Sequence, residues 1–311
     1  MHLLLACATW PFEGPAPDIA ALRLPHVERL LGLLQAGTPM VADPASLCPP
    51  QERLRAADLG WPLVDGGLPW AALAARDSLD PQGEQAWAWI SPAHWEVGSA
   101  AVTMAAPPQL RLDAEASRAL CEAMAPYFAE DGITLHYHEP ARWLAASPRF
   151  EGMVSASLDR VAGQSLADWM PEAGWLRRLQ NEMQMLLYLH PVNDARQTRG
   201  ELPVNAFWLH GSGRLPPGTP AAPAALPVEP EALRQAVWQR DPAAWLQAWQ
   251  ALDAGEARSL LHTVERGDTP ARLSLCGTRG AITFGPQRRG TLARWGARLR
   301  PPALTDWLQQ L

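Results

Sequence analysis

The chain contains no lysine, so all 26 of its basic residues are arginines. A Schiff base, a lysine general base and a P-loop lysine are therefore excluded, and any anion gripped by a side-chain cation meets a guanidinium fork. Cysteine is scarce. Cys7, Cys48, Cys121 and Cys276 are widely separated, with no CxxC pair. That spacing argues against a thiol-rich zinc site or a disulfide framework and fits a reducing cytosol. No apolar run approaches the roughly 20 residues of a membrane span, so a cytoplasmic location and no membrane partner are expected. Leu4-Leu5-Ala6-Cys7 looks like a lipoprotein cleavage box, but it lacks a basic n-region and its apolar run is short, so it reads as a first buried strand. The net charge of -6 argues against bulk affinity for nucleic acid.

What is present is enough to build a sizeable core: 311 residues, 48% hydrophobic and only 19% charged. The continuous apolar run from His2 to Ala8 fits a central parallel strand. Pro25 opens a helix with Val27, Leu30, Leu31 and Leu34 on one face. Strand-like runs at 85–90 and 96–104, a helix at about 113–129, and strand-like runs at 133–138 and 150–157 suggest an α+β module of their own. A strong amphipathic helix after Pro171 is stopped at His190-Pro191. A polar loop, 190–200, and a buried strand, 204–209, follow. Residues 214–230 are rich in proline and alanine and read as a surface excursion. Asp241-Pro242 opens a helix striped by Trp245, Trp249 and Leu252. The runs 272–276 and 281–284 alternate across a Gly277–Gly280 turn, which predicts a hairpin.

Polar residues concentrate where the chain turns after Leu189. His190, Asn193 and Arg196, with Asn205 and Trp208 beyond them, form a candidate ligand-binding set suited to a phosphorylated small molecule, because arginine forks match phosphate. The competing reading is structural: His190 and Asn193 cap the helix end, Arg196 is solvated and Asn205 ties the loop to the sheet. His136 and His138 lie two apart on a strand and so share a face. They are weak candidate metal ligands, since no third donor is evident nearby. Arg288, Arg289, Arg294 and Arg298 belong to a basic C-terminal stretch. They are a candidate docking patch for an acidic protein or nucleic acid, or else a solvated basic face.

Several of these segments carry a family pattern. Val161-Ala162-Gly163, Met170-Pro171, His190-Pro191-Val192-Asn193, Arg199-Gly200, Pro203-Val204-Asn205 and the run from Phe207 to Gly213 stand in this order over about 55 residues. In order and spacing they resemble archaeal-type cofactor-independent phosphoglycerate mutases of the alkaline phosphatase superfamily. Leu24-Pro25-His26-Val27-Glu28-Arg29-Leu30 and Leu59-Gly60-Trp61-Pro62 extend the likeness upstream. The passages Ser91–Met104, Ala123–Tyr137 and Leu179–Gly200 carry a narrower resemblance, over nearly the whole chain, to a bacterial family of RpfE-type regulatory proteins.

The first resemblance implies an α/β, three-layer, alkaline-phosphatase-like core with a mostly parallel sheet, made of residues 1–80 and 157–311, with 81–156 inserted as an α+β module. It also implies two divalent metals and a hydroxyl nucleophile, and here the chain departs from the pattern. Thr9-Trp10-Pro11-Phe12 replaces the metal-binding turn after strand one, and Gln51 stands at the nucleophile's position. Ser157-Leu158-Asp159-Arg160 replaces a histidine–aspartate turn, and His262 is the only histidine after Gly213. Two-metal phosphoryl transfer needs those ligands. The expectation is a catalytically degenerate, regulatory or binding protein with no catalytic residue and no cofactor. The alternatives are a metal-dependent mutase or phosphohydrolase with rearranged ligands, and a protein associated with nucleic acid through the arginine-rich stretch.

Overall fold

The computed structural model describes residues 1–12, 14, 17–80, 82–99, 101–219, 226–267, 270–286 and 303–311. Its strands are β1 (His2–Leu5), β2 (Gln35–Ala36), β3 (Met40–Val41), β4 (Ala86–Ala93), β5 (Trp95–Val97), β6 (Val102–Met104), β7 (Thr134–Glu139), β8 (Arg142–Ala146), β9 (Ala206–Arg214), β10 (Arg272–Cys276) and β11 (Gly280–Gly285). The helices begin with α1 (Pro25–Leu33), α2 (Pro50–Asp58), α3 (Trp70–Ala75), α4 (Pro107–Leu110), α5 (Ala114–Glu130) and α6 (Leu158–Val161). They continue with α7 (Gly174–Tyr188), α8 (Pro191–Thr198), α9 (Ala232–Trp238), α10 (Pro242–Leu252), α11 (Arg258–Arg266) and α12 (Leu304–Leu308). The chain divides into two compact units, one of Met1–Ala45, Pro49–Leu59 and Pro220–Leu311, the other of Ser46–Cys48 and Gly60–Thr219. The expected insert, 81–156, lies inside the second.

In the first unit the sheet runs β1-β10-β11-β2, with β3 also on β11. β1 pairs parallel to β10, and the other pairings are antiparallel. Period-two alternation sorts β1 between two cores. Leu3 and Leu5 join Val27, Leu30, Trp245 and Trp249 beneath α1 and α10. Leu4 and Ala6 join Leu54 of α2, Cys276 and Ala281. Burial on both faces is why the first strand is apolar without interruption. The helix starts are local chemistry: Asp241 accepts the Ala244 N–H at 2.9 Å, and Pro242 occupies the first helical turn.

The second unit holds the sheet β7-β8-β4-β9, antiparallel throughout. Ile90, Trp143, Phe207 and Leu209 pack against Met124 and Phe128 of α5 and Leu179 and Met183 of α7. The opposite face presents Trp89 toward α3. A Cβ on Gly211, whose φ is +60°, would come within 3.0 Å of the Trp89 ring and 3.4 Å of the Trp70 Cβ. Glycine there permits both the left-handed backbone and the close approach of α3. The pairing of β4 with β9 shifts register between Trp87 and Trp89, as a β-bulge does. Met153 accepts the Ser212 hydroxyl just beyond it, at 3.0 Å.

Four expectations change. The sheets are largely antiparallel, not mostly parallel, because β10–β11, β7–β8 and β5–β6 are joined by connections too short for the crossover a parallel pair requires. The segment 150–157 is not a strand: Phe150 closes a short 3-10 turn capped by Ser147, and the strand of this region is β8, just before it. The run 96–104 is not one strand but two, β5 and β6, folded into a hairpin. The polar stretch after His190 is not a loop but the helix α8.

Candidate functional site

In an open α/β sheet, ligands gather at the carboxyl ends of parallel strands, so the end of β1 beside β10 is the first place to look. Cys7 turns there with φ of +56°, and the Ala8 N–H is bound by the Cys276 carbonyl at 2.8 Å. The turn is filled by aromatic rings. Trp10 meets Phe12 at 5.2 Å and Trp245 at 6.1 Å, both edge to face, and Trp245 meets Trp249 at 6.0 Å. The Trp245 indole N–H donates to the Cys7 carbonyl at 3.0 Å. Rings packed in this way supply dispersion and quadrupole contacts but no oxygen or imidazole donors.

These residues do not fit a pair of divalent ions. Such a site needs several carboxylates and imidazoles converging on one point. Among the described residues no three His, Cys, Asp or Glu side chains come together as a ligand group. The residues outside that set add only Glu13 and Asp268 to the donors. Gln51 is buried on α2, Ser157 caps the short helix α6, and His262 lies on α11 beside Ser259, Thr263 and Arg266.

In the second unit the structure brings His190, Asn193 and Arg196 together on α8 and turns the last two inward. His190 caps α8, its Nδ1 facing the Val192 N–H at 3.3 Å. Burial pushes its pKa below the ordinary histidine value, against an opposing pull from Asp194. Asn193 donates to the Leu187 and Val204 carbonyls, both at 2.7 Å, and accepts the Val204 N–H at 2.8 Å. Arg196 is 0% exposed. It donates to the carbonyl of Leu202 at 2.9 Å and to that of Leu110, and lies 3.4 Å from the Glu201 carboxylate. Asn205 bridges the N–H and carbonyl of Trp95 at 2.7 and 2.9 Å, and the Trp208 indole donates to the Ala156 carbonyl at 2.9 Å. The polar atoms of Asn193, Asn205 and Trp208, and most of Arg196's, are spent on the chain's own backbone.

His136 and His138 share a face of β7, as the spacing predicts, and each packs on a tryptophan ring. His136 lies 5.5 Å from Trp87 and His138 lies 5.2 Å from Trp89. Burial holds the His136 pKa below its ordinary value. Arg142 stacks over the Trp89 ring at 5.1 Å and pairs with Glu139 at 2.7 Å. Arg288, Arg289, Arg294 and Arg298 lie outside the described residues.

Three polar pairings join residues far apart in sequence, which no local pattern signals. The Ser91 hydroxyl meets His210 Nε2 at 3.1 Å between β4 and β9. Burial, assisted by the Arg142 charge, drives the His210 pKa down to about 3, so the ring is neutral. His2 Nε2 meets the Ser274 hydroxyl at 2.8 Å, which meets Thr283 Oγ1 at 2.8 Å, while His2 Nδ1 lies 3.3 Å from Asp58. Burial raises the Asp58 carboxyl, but hydrogen bonds and charge from His2 and Arg272 outweigh it and hold the pKa below the ordinary value. Ser274 is fully buried, so this chain of groups braces the sheet rather than facing a substrate. His26 Nδ1 meets the Asp253 carboxylate at 2.9 Å.

No family model matches the sequence, and no curated protein matches it. Among solved structures, the chain is similar to the PH0037 protein from Pyrococcus horikoshii, with 12% identity and a TM-score of 0.46 over 92% of this chain and 87% of that one. It is also similar to a cofactor-independent phosphoglycerate mutase from Thermoplasma acidophilum, with 14% identity and a TM-score of 0.34 over 100% of this chain and 99% of that one.

Proposed function

We propose that this chain acts by recognition, as a catalytically degenerate relative of the phosphoglycerate mutases its motifs resemble, and not by metal-dependent phosphoryl transfer. One observation carries the reading: at the carboxyl end of β1, the Trp10–Phe12–Trp245 stack occupies the turn that would have to present metal ligands. Phosphoryl transfer with two ions relies on them to activate the nucleophile and neutralise developing charge, and aromatic carbon does neither. The buried α8 residues agree with this. The motif that resembles the mutases is retained, but the Asn193 amide holds α8 to the segment that leads into β9 and to the preceding helix. A regulatory role is what the narrower resemblance implies for such a binding protein.

The test is atomic emission on protein purified without a chelator, paired with a mutase and phosphohydrolase assay supplemented with manganese. The reading predicts substoichiometric metal and no turnover. Turnover that a chelator abolishes would overturn it and favour an enzyme with rearranged ligands.

A further inference from the structure

We propose that His26 is a phosphoryl-acceptor histidine, modified on Nε2 by an acyl phosphate. The inference stands apart from the recognition reading, since it needs no metal and no mutase-like centre.

The geometry begins in the long helical stretch α10–α11, whose continuity is broken by one π-helical turn, Asp253–Ala257. A π turn inserts a residue into the α-helical register and redirects the side chains around it, a device common at functional sites. Here Asp253 is turned onto the first turn of α1 and is nearly buried, with 6% of its side chain exposed. Its Oδ1 accepts the N–H groups of His26 and Val27 at 3.0 and 2.8 Å, and its Oδ2 faces His26 Nδ1 at 2.9 Å.

A carboxylate only accepts, so the proton of the neutral imidazole sits on Nδ1 and the lone pair is left on Nε2. The His26 side chain is 30% exposed, and no described residue bonds Nε2. A carboxylate thus fixes the tautomer and orientation of a histidine whose other nitrogen meets no described residue, the arrangement that makes an imidazole a nucleophile. Arg29 lies three residues on, which places it on the same side of α1 as His26. It is exposed and makes no ion pair with a described residue, so its guanidinium is available to a phosphoryl oxyanion.

The step balances without a metal. The Nε2 lone pair forms the N–P bond as the P–O bond to the acyl oxygen breaks, and that bond's electron pair leaves on the carboxylate product. The Nδ1 proton stays in its hydrogen bond to Asp253, whose charge offsets that of the phosphorylated ring.

The experiment incubates the full chain with acetyl phosphate and follows the product by phosphorus NMR and by mass spectrometry after alkaline quenching. The expected result is one adduct, on His26, with the resonance of the Nε2 isomer, lost in acid and stable in base. His26→Gln removes it. Asp253→Asn, which keeps an oxygen for the two backbone N–H groups, slows its formation by at least about tenfold. No adduct on His26, an Nδ1 isomer, or equal labelling of His138 and His262 would each overturn the proposal. The isomer assignment uses the wild-type chain alone, so it holds whether or not a variant folds.

Discussion

The side-chain amide of Asn193 closes on both polar groups of Val204, accepting its N–H at 2.8 Å and donating to its carbonyl at 2.7 Å. The two motifs His190-Pro191-Val192-Asn193 and Pro203-Val204-Asn205 are therefore one structural unit. Residue 193 pins the segment that leads into β9, and the Leu187 carbonyl, also at 2.7 Å, ties the same amide to the last turn of α7.

Asn193→Ala should cost about 2–4 kcal/mol of unfolding free energy, because three buried bonds vanish and their backbone partners are left without replacements. Urea unfolding checks it. A loss under about 1 kcal/mol would mean that solvent or a rearranged helix readily satisfies those groups.

Arg196 makes a related prediction. Its guanidinium is 0% exposed and spans the Leu202 and Leu110 carbonyls beside Glu201. Arg196→Lys keeps the charge but not the fork, so it should still destabilise, by about 2–3 kcal/mol. Burial already pulls this arginine's pKa down, opposed by Glu201, so a lysine there gives up its proton more readily still. The check is thermal unfolding of the lysine variant at two pH values, with the greater loss expected at the lower pH.

These two residues also explain what the sequence revealed and what it hid. Apolar patterning is legible: the two-sided burial of β1, the α7 stripe and the Gly277–Gly280 hairpin all follow from periodicity and turn chemistry. The helix α8 was hidden because its inward face is polar. Asn193 and Arg196, three apart, occupy positions where a pattern search looks for leucine. The sheet direction is not legible in the sequence, because a continuous apolar run reports burial on both faces and not the direction of the neighbouring strand. The His26–Asp253 and Ser91–His210 pairs join residues 227 and 119 positions apart, a relationship that only the fold creates.

Manganese should leave the melting temperature unchanged. An ion bound only by the native state stabilises it by RT ln(1 + [L]/Kd), about 4 kcal/mol at a thousandfold excess over Kd. That would move the transition by several degrees in a chain of this size. With Trp10 and Phe12 in place of ligands, differential scanning fluorimetry with and without manganese should superimpose. A reproducible upward shift would locate an ion site in the native fold.

His210 sets the acid limit of the second unit. Its folded pKa is depressed to about 3, against an ordinary value of 6.5, because burial beside Ser91 and Trp89 penalises the charged ring and the Arg142 charge adds to the penalty. Below pH 6.5 the unfolded chain therefore binds a proton that the native chain refuses, and stability falls as pH drops from 6.5 toward about 3. At pH 5 the loss should be about 2 kcal/mol from this residue alone. Asp58, whose folded pKa is lowered, acts in the same direction but at lower pH, as its own carboxylate is protonated below the ordinary 3.8. The two are separable by variant. His210→Gln removes the most strongly depressed of these rings and should reduce the slope of unfolding free energy between pH 6.5 and 4.5, leaving the smaller share that the lowered His136 and His190 carry and the loss below pH 4. If the wild-type slope persists in that variant, the acid sensitivity comes from another group and the Ser91–His210 pair is not what limits the β4–β9 pairing in acid.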